Sequence, residues 1–175
     1  MNYVKINPVD IANGSGVRVS LFVAGCTHHC KGCFNTEAWD FDAGKPFTDE
    51  TEDDIISLLD HSWIDGLTLL GGEPFEPENQ KVLRHLLDRV HSELPTKTIW
   101  AYSGYKFEEI QDSPLLDYVD ILVDGEFVED KKNISLQFRG SENQRVIDVQ
   151  ETFASGHVVI RPDDKKGYGL NEIHR

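Results

Sequence analysis

Cys26, Cys30 and Cys33 are the three cysteines of this 175-residue chain, and they fall in one stretch, "GCTHHCKGCFN" (25–35). Their spacing is C-x3-C-x2-C. A secreted disulfide framework would scatter an even number of cysteines along the chain. A tight odd cluster fits a reducing compartment, where thiols more often bind metal or do redox chemistry. Iron–sulfur clusters are usually held by four thiolates. Three protein thiolates on a cubane leave one iron with open coordination, and an open metal site is the mark of catalysis rather than of structure. Two other readings stand beside this one. One is a Cys3His zinc site with His28 or His29 as the fourth ligand, although ligands so close together in one loop would strain a tetrahedron. The other is a set of buried thiols with no role.

A second unusual stretch is "LLGGEP" (69–74). Gly71 and Gly72 carry no Cβ, so backbone there can approach a ligand. Pro74 biases Glu73 toward an extended conformation. Exposed backbone groups and one carboxylate could together hold an ammonium group. Taken alone, the stretch reads rather as a tight turn with a solvent-facing Glu.

These motifs must be positioned by the elements around them. "VRVSLFVAG" (17–25) is β-branched, aromatic and bounded by glycine, so it reads as a buried strand that delivers the cysteine loop. "GLTLLGGEP" (66–74), "TIWAYSGY" (98–105) and "DILVDGEF" (120–127) read as further strands. "DETEDD" (49–54) opens a helix, with acidic residues at the favourable end of its dipole. That helix continues through "DIISLLDHSW" (54–63), with Ile55, Ile56, Leu58 and Leu59 at helical spacing. "NQKVLRHLLDRVHSEL" (79–94) is amphipathic, with Val82, Leu83, Leu86, Leu87 and Val90 on one face and Pro95 as its stop. "KFEEIQDSPLLDYV" (106–119) is helical in parts. Alternating strands and helices predict an α/β fold with a mainly parallel sheet and right-handed crossovers. In such sheets ligands lie beyond the C-terminal strand ends, and all the glycine-rich oddities fall there. A full eight-stranded barrel takes about 250 residues, so the expectation is a partial, incomplete TIM-like β/α barrel. Residues 1–149 are expected to form the catalytic domain. Residues 150–175 would be a C-terminal extension with one strand at "HVVIRP" and then a loose polar tail.

The net charge of −14 argues against nucleic acid as a partner, since that needs basic patches. No run approaches the roughly 18 apolar residues of a membrane helix, and the N-terminus shows no signal-peptide core. A cytoplasmic location and no membrane partner are therefore expected. Asn13 to Gly16 lacks the lysine and spacing of a phosphate loop and reads as a turn. Arg18 reads as pairing with a carboxylate inside the sheet or as facing a partner. Trp39, Trp63 and Trp100 read as core residues. Arg139, Ser141, Asn143 and Gln144 read as either a hydrogen-bonded loop or a docking surface.

The cysteine motif followed by Gly-Gly-Glu at the next strand end resembles the radical S-adenosylmethionine superfamily. Within it, "NGSGVRVSLFVAGCTHHCKGCFN" (13–35), "LLGGEP" and "VDGEF" (123–127) are similar to the glycyl-radical-enzyme activases. "FRGSENQRVID" (138–148) is similar to the members that act on anaerobic ribonucleoside-triphosphate reductase. The likeness spans roughly residues 3–149. It implies a [4Fe–4S] cluster on Cys26, Cys30 and Cys33, with S-adenosyl-L-methionine chelated to the fourth iron. One electron from the reduced cluster breaks the sulfonium C–S bond, giving methionine and a 5′-deoxyadenosyl radical. That radical takes a hydrogen atom from a glycine of the reductase large subunit. An electron donor is a second implied partner. Gly71, Gly72 and Glu73 would bind the methionine amino group, and Asn35, Ser103 and Asp124 would line the same pocket. Many superfamily members carry an aromatic residue just before the third cysteine. Here Gly32 holds that position and Phe34 follows Cys33, as in the reductase activases, which leaves the adenine contact open. Another glycyl-radical enzyme, such as pyruvate formate-lyase, is the alternative substrate. A non-enzymatic zinc module is the alternative of another class. Metal analysis and colour separate a brown iron–sulfur protein from a colourless zinc one.

Overall fold

The computed structural model describes residues 1–162. One eight-stranded sheet runs through it, in the order β3-β1-β2-β4-β5-β6-β7-β8. The strands are β1 (Asn2–Asp10), β2 (Arg18–Val23), β3 (Lys45–Pro46), β4 (Gly66–Gly71), β5 (Thr98–Tyr102), β6 (Ile121–Asp124), β7 (Arg145–Asp148) and β8 (Val159–Ile160). The helices are α1 (Asp49–Leu59), α2 (Pro77–Glu93), α3 (Phe107–Ile110) and α4 (Val149–Ser155).

The middle of the sheet is parallel: β2 to β4, β4 to β5 and β5 to β6. These are the strands that the alternating pattern foretold. Both flanks are antiparallel, with β1 between β2 and β3 and with β7 and β8 beyond β6. The expectation of a mainly parallel sheet therefore holds for the centre only. The flanking strands join their neighbours without the crossover helix that a parallel connection requires. Strand β8 lies within the expected "HVVIRP", and α4 precedes it, starting at Val149. The polar tail expected after residue 162 lies outside the described residues.

Alternation along each strand gives the sheet two different faces. Val19, Leu21, Val23, Leu67, Leu69, Ile99, Ala101, Leu122 and Ile147 join the main apolar core with α1 and α2. Thr48 caps α1, its hydroxyl accepting from Thr51 N at 3.3 Å, and Asp49, Glu50 and Glu52 fill the first turn. Ile55, Ile56 and Leu59 are buried from α1, and Leu83, Leu86, Leu87 and Val90 from α2, while Leu58 and Val82 are half-buried. Pro77 starts α2 where its missing N–H costs nothing.

On the opposite face stand Arg18, Ser20 and Phe22 of β2, with Thr68 and Leu70 of β4 and Trp100 and Tyr102 of β5. Arg18 is fully buried there. It pairs with no carboxylate and does not reach the surface, which corrects both expectations. Its guanidinium donates to Thr68 Oγ1 at 2.7 Å, Thr98 Oγ1 at 3.0 Å, and the carbonyls of Ser15 (3.1 Å), Leu67 (2.8 Å) and Thr98 (2.7 Å). It lies 5.6 Å over the Trp100 ring. Burial pushes its pKa down to about 10, while Asp120 and Asp65 act against that. The Asn13–Gly16 turn folds onto this face, and Thr68 Oγ1 donates to Asn13 O at 2.8 Å. Trp100 is core, as expected, but Trp63 is 53% exposed beside His61.

Arg18→Leu should strand three buried carbonyls and cost about 3 kcal/mol or more. Urea unfolding of the reduced, cluster-free protein measures this, and a loss below about 1 kcal/mol would contradict the plug role.

Candidate functional site

A cavity of about 560 Å³ opens at the C-terminal ends of the parallel strands, on the sheet face opposite α1 and α2. Cys26, Cys30 and Cys33 line it, together with Asn35, Gly71, Gly72, Glu73 and Ser103. All three cysteines are free and half-buried.

The cysteine loop is held by its backbone. Gly25 N donates to Ala38 O at 2.8 Å, Cys26 N to Trp39 O at 3.1 Å and Cys33 N to Cys30 O at 3.1 Å. Glu76 Oε1 accepts from Thr27 N at 3.0 Å and from Thr27 Oγ1 at 2.5 Å. Burial pushes the Cys26 thiol up to about 11 and raises that of Cys30 as well, with Glu73 and Glu126 respectively adding to the effect. Burial thus favours the neutral thiol at Cys26 and Cys30, and conversion to thiolate ligands is coupled to cationic iron.

The two glycines serve close approach, but between backbones. A Cβ on Gly72 would lie 2.4 Å from Gly25 O, and one on Gly71, whose φ is +104°, 2.8 Å from the Phe22 backbone. The end of β4 is thus laid against the cysteine loop, with Gly72 N donating to Val23 O at 2.7 Å and Glu73 N to Gly25 O at 2.8 Å. Asn79, in the first turn of α2, donates to Ala24 O at 3.0 Å and Glu73 O at 2.9 Å.

Glu73 is buried, unlike the solvent-facing Glu of a plain turn. Its Oε1 accepts from Phe75 N at 2.9 Å and Ser103 Oγ at 3.0 Å. Its Oε2 accepts from Gly104 N at 2.7 Å and lies 3.2 Å from His28 Nε2, an ion-pair distance. Glu73 foremost, with Glu126 beyond it, raises the His28 pKa to about 9.

Asn35 borders the cavity, and its N–H points to Cys33 Sγ at 3.4 Å. Asp124 sits apart from this cavity. It is fully buried, accepts from Phe107 N at 2.8 Å and from Arg145 Nε at 2.9 Å, and is bonded by Arg145 Nη2 as well. Arg145 also grips Glu108, holding that carboxyl down at about 2.

The 138–144 segment is a hydrogen-bonded loop that also walls the cavity. Gln144 Oε1 accepts from Gly140 N at 2.9 Å and Ser141 N at 3.1 Å, while its Nε2 donates to Gly125 O at 2.9 Å. Aromatic residues complete the walls: Phe34, Trp39, Phe127 and Phe138. Of these, only Trp39 and Phe34 drew notice in the sequence, and Trp39 was expected in the core. Phe34 packs 5.5 Å from Phe127, with Lys132 Nζ 5.0 Å over its ring.

Residues 12–147 match the family model of a 4Fe-4S single cluster domain. The chain is 46% identical over 148 residues to the anaerobic ribonucleoside-triphosphate reductase-activating protein of Haemophilus influenzae, covering 82% of this chain and 96% of that protein. It is 45% identical over 150 residues to the protein of the same name from Escherichia coli K12, covering 83% and 97%. It is 44% identical over 148 residues to that from Enterobacteria phage T4, covering 83% and 93%. The chain belongs to the family of anaerobic ribonucleoside-triphosphate reductase-activating proteins.

The donor set suits the family's [4Fe–4S] cluster: three unpaired thiols border one cavity. Among the described residues no three His, Cys, Asp or Glu side chains group as a site for a single metal ion. A cubane takes one thiolate per iron, so its ligands do not converge on a point. The zinc alternative gives way to the cluster that the family model describes.

Gly72→Ala should force the β4 end away from the cysteine loop, costing about 3 kcal/mol and leaving substoichiometric iron after anaerobic reconstitution. Gly156→Ala is the control: its φ is +73° but nothing lies within 4 Å. It should cost about 1 kcal/mol and load iron normally. Equal iron contents in the two variants would contradict the packing role of Gly72.

Proposed function

We propose that this chain activates an anaerobic ribonucleoside-triphosphate reductase by placing a glycyl radical on the reductase large subunit. The observation that carries the reading is the convergence of three free cysteines and the Gly71–Glu73 turn on one cavity, in a chain whose relatives bear that name along nearly their whole length. When bound and reduced, the cluster supplies the electron that cleaves S-adenosylmethionine to methionine and the hydrogen-abstracting 5′-deoxyadenosyl radical.

The protein's share is placement and exclusion of water. Cys26, Cys30 and Cys33 would hold the cluster, whose reduced form would supply an electron to the cosubstrate. Gly71, Gly72 and Glu73 bind the methionine amino end, with Asn35 and Ser103 beside them. Glu73 would contribute charge through an already bonded carboxylate, and the Gly71–Gly72 backbone would supply close approach. Asp124 acts at one remove, by anchoring Arg145 and the start of α3. The sheet centre, β2 to β6, is read as the incomplete β/α barrel, with its unclosed side left to the substrate. Phe34, 69% exposed at the cavity's edge, marks where the cavity meets solvent, so a protein substrate can present its own glycine loop. The electron donor docks on the same cytoplasmic protein. No helix among the described residues is long and apolar enough to cross a membrane.

Reconstituted, reduced protein should release 5′-deoxyadenosine from S-adenosylmethionine. Cys30→Ala should reduce the rate at least about a thousandfold, the scale of losing a group that completes a catalytic centre. Cleavage retained by that variant would overturn the ligand assignment.

A further inference from the structure

His28 lies inside the cysteine loop, between Cys26 and Cys30, yet its ring points across the rim to other strand ends. Nε2 is 3.2 Å from Glu73 Oε2 at the end of β4, and Nδ1 is 3.1 Å from Glu126 Oε1 beyond the end of β6. Its ring stands edge-on to Tyr105, 4.3 Å between centroids, just past β5. Gly104 makes room for it, because a Cβ there would lie 2.5 Å from His28 Cδ2. The imidazole side chain is 10% exposed. Glu126 is tied in turn to the 138–144 loop, since Asn143 Nδ2 donates to its carbonyl at 2.8 Å. One side chain thus spans from the cysteine loop to three neighbouring strand ends.

We propose that His28 is a positioning residue for the S-adenosylmethionine end of the site, holding the Glu73 carboxylate and the Cys26–Cys30 arm in a fixed relation. This rests on the function proposed above. The cysteine loop has other anchors, through Thr27 to Glu76 and through Gly25 and Cys26 to Ala38 and Trp39. Loss of the imidazole therefore spares iron ligation. It leaves Gly104 N as the donor to Glu73 Oε2 and cuts the tie between that carboxylate and the cysteine loop, so the cosubstrate meets a looser site.

The test uses the full chain, reconstituted anaerobically with iron and sulfide and then reduced. S-Adenosylmethionine is titrated against the change it causes in the electron paramagnetic resonance spectrum of the cluster. His28→Ala should keep wild-type iron content while its dissociation constant rises about tenfold or more. His28→Gln, which can donate to only one of the two carboxylates at a time, should fall between. Wild-type iron with an unchanged dissociation constant in His28→Ala would overturn the proposal. Should His28→Ala fail to hold iron, Glu126→Gln decides instead. That side chain is 58% exposed, so the fold tolerates the change. A few-fold weaker cosubstrate binding supports the proposal, and unchanged binding overturns it. Failure of the wild-type protein to bind a cluster or to respond to S-adenosylmethionine would instead remove the underlying functional reading.

Discussion

A carboxylate buried out of water is costly unless its oxygens are bonded and its charge is met. Glu73 meets that condition with donors from its own turn (Phe75 N) and from the β5 end (Ser103 Oγ and Gly104 N), while His28 Nε2 of the cysteine loop lies at ion-pair distance, 3.2 Å, from its Oε2. The ends of β2, β4 and β5 are therefore one mechanical unit around a single negative charge. Gly71 and Gly72 allow the approach, and Asn79 stitches the Ala24 and Glu73 carbonyls from below. The ligand loop is thereby braced beyond the bonds that the cysteines' own backbone makes.

That junction sits where it does because the sheet is two-faced. Helices α1 and α2 bury one face in a continuous apolar core. Among the described residues no α-helix covers the other face. Its lower part is filled by Arg18, Trp100 and the Asn13–Gly16 turn, and its upper part is left as the cavity. A fully bonded guanidinium fills the lower space while satisfying carbonyls that an apolar side chain would leave unmet. The same polar plug keeps the floor rigid beneath Phe22, Leu70 and Tyr102, which line the cavity.

Much of this was legible in the residues. Cys26, Cys30, Cys33 and the Gly-Gly-Glu turn announce themselves by type and spacing, and the parallel strands by short β-branched runs before glycine. Strand β1 was not legible, since "NYVKINPVD" mixes polar residues and proline with its apolar ones, and its pairing with β2 is interrupted by register shifts. Strand β7 is short and lies inside a segment notable for other reasons, and α4 has weak periodicity. Arg18 and Asp124 were ambiguous because their partners, Thr68, Thr98 and Arg145, are far away in sequence. His28 looked like a spare metal ligand. Only the fold shows that its ring turns toward Glu73 and Glu126, and the one local hint was Gly104, whose missing Cβ accommodates it.

The central claim concerns where the radical ends up, and electron paramagnetic resonance reads that directly. Reductase mixed anaerobically with this protein, S-adenosylmethionine and a one-electron reductant should develop a glycyl-radical signal that is absent when any component is omitted. A reductase that stays silent while S-adenosylmethionine is consumed, or a signal raised only in a different glycyl-radical enzyme, would contradict the account.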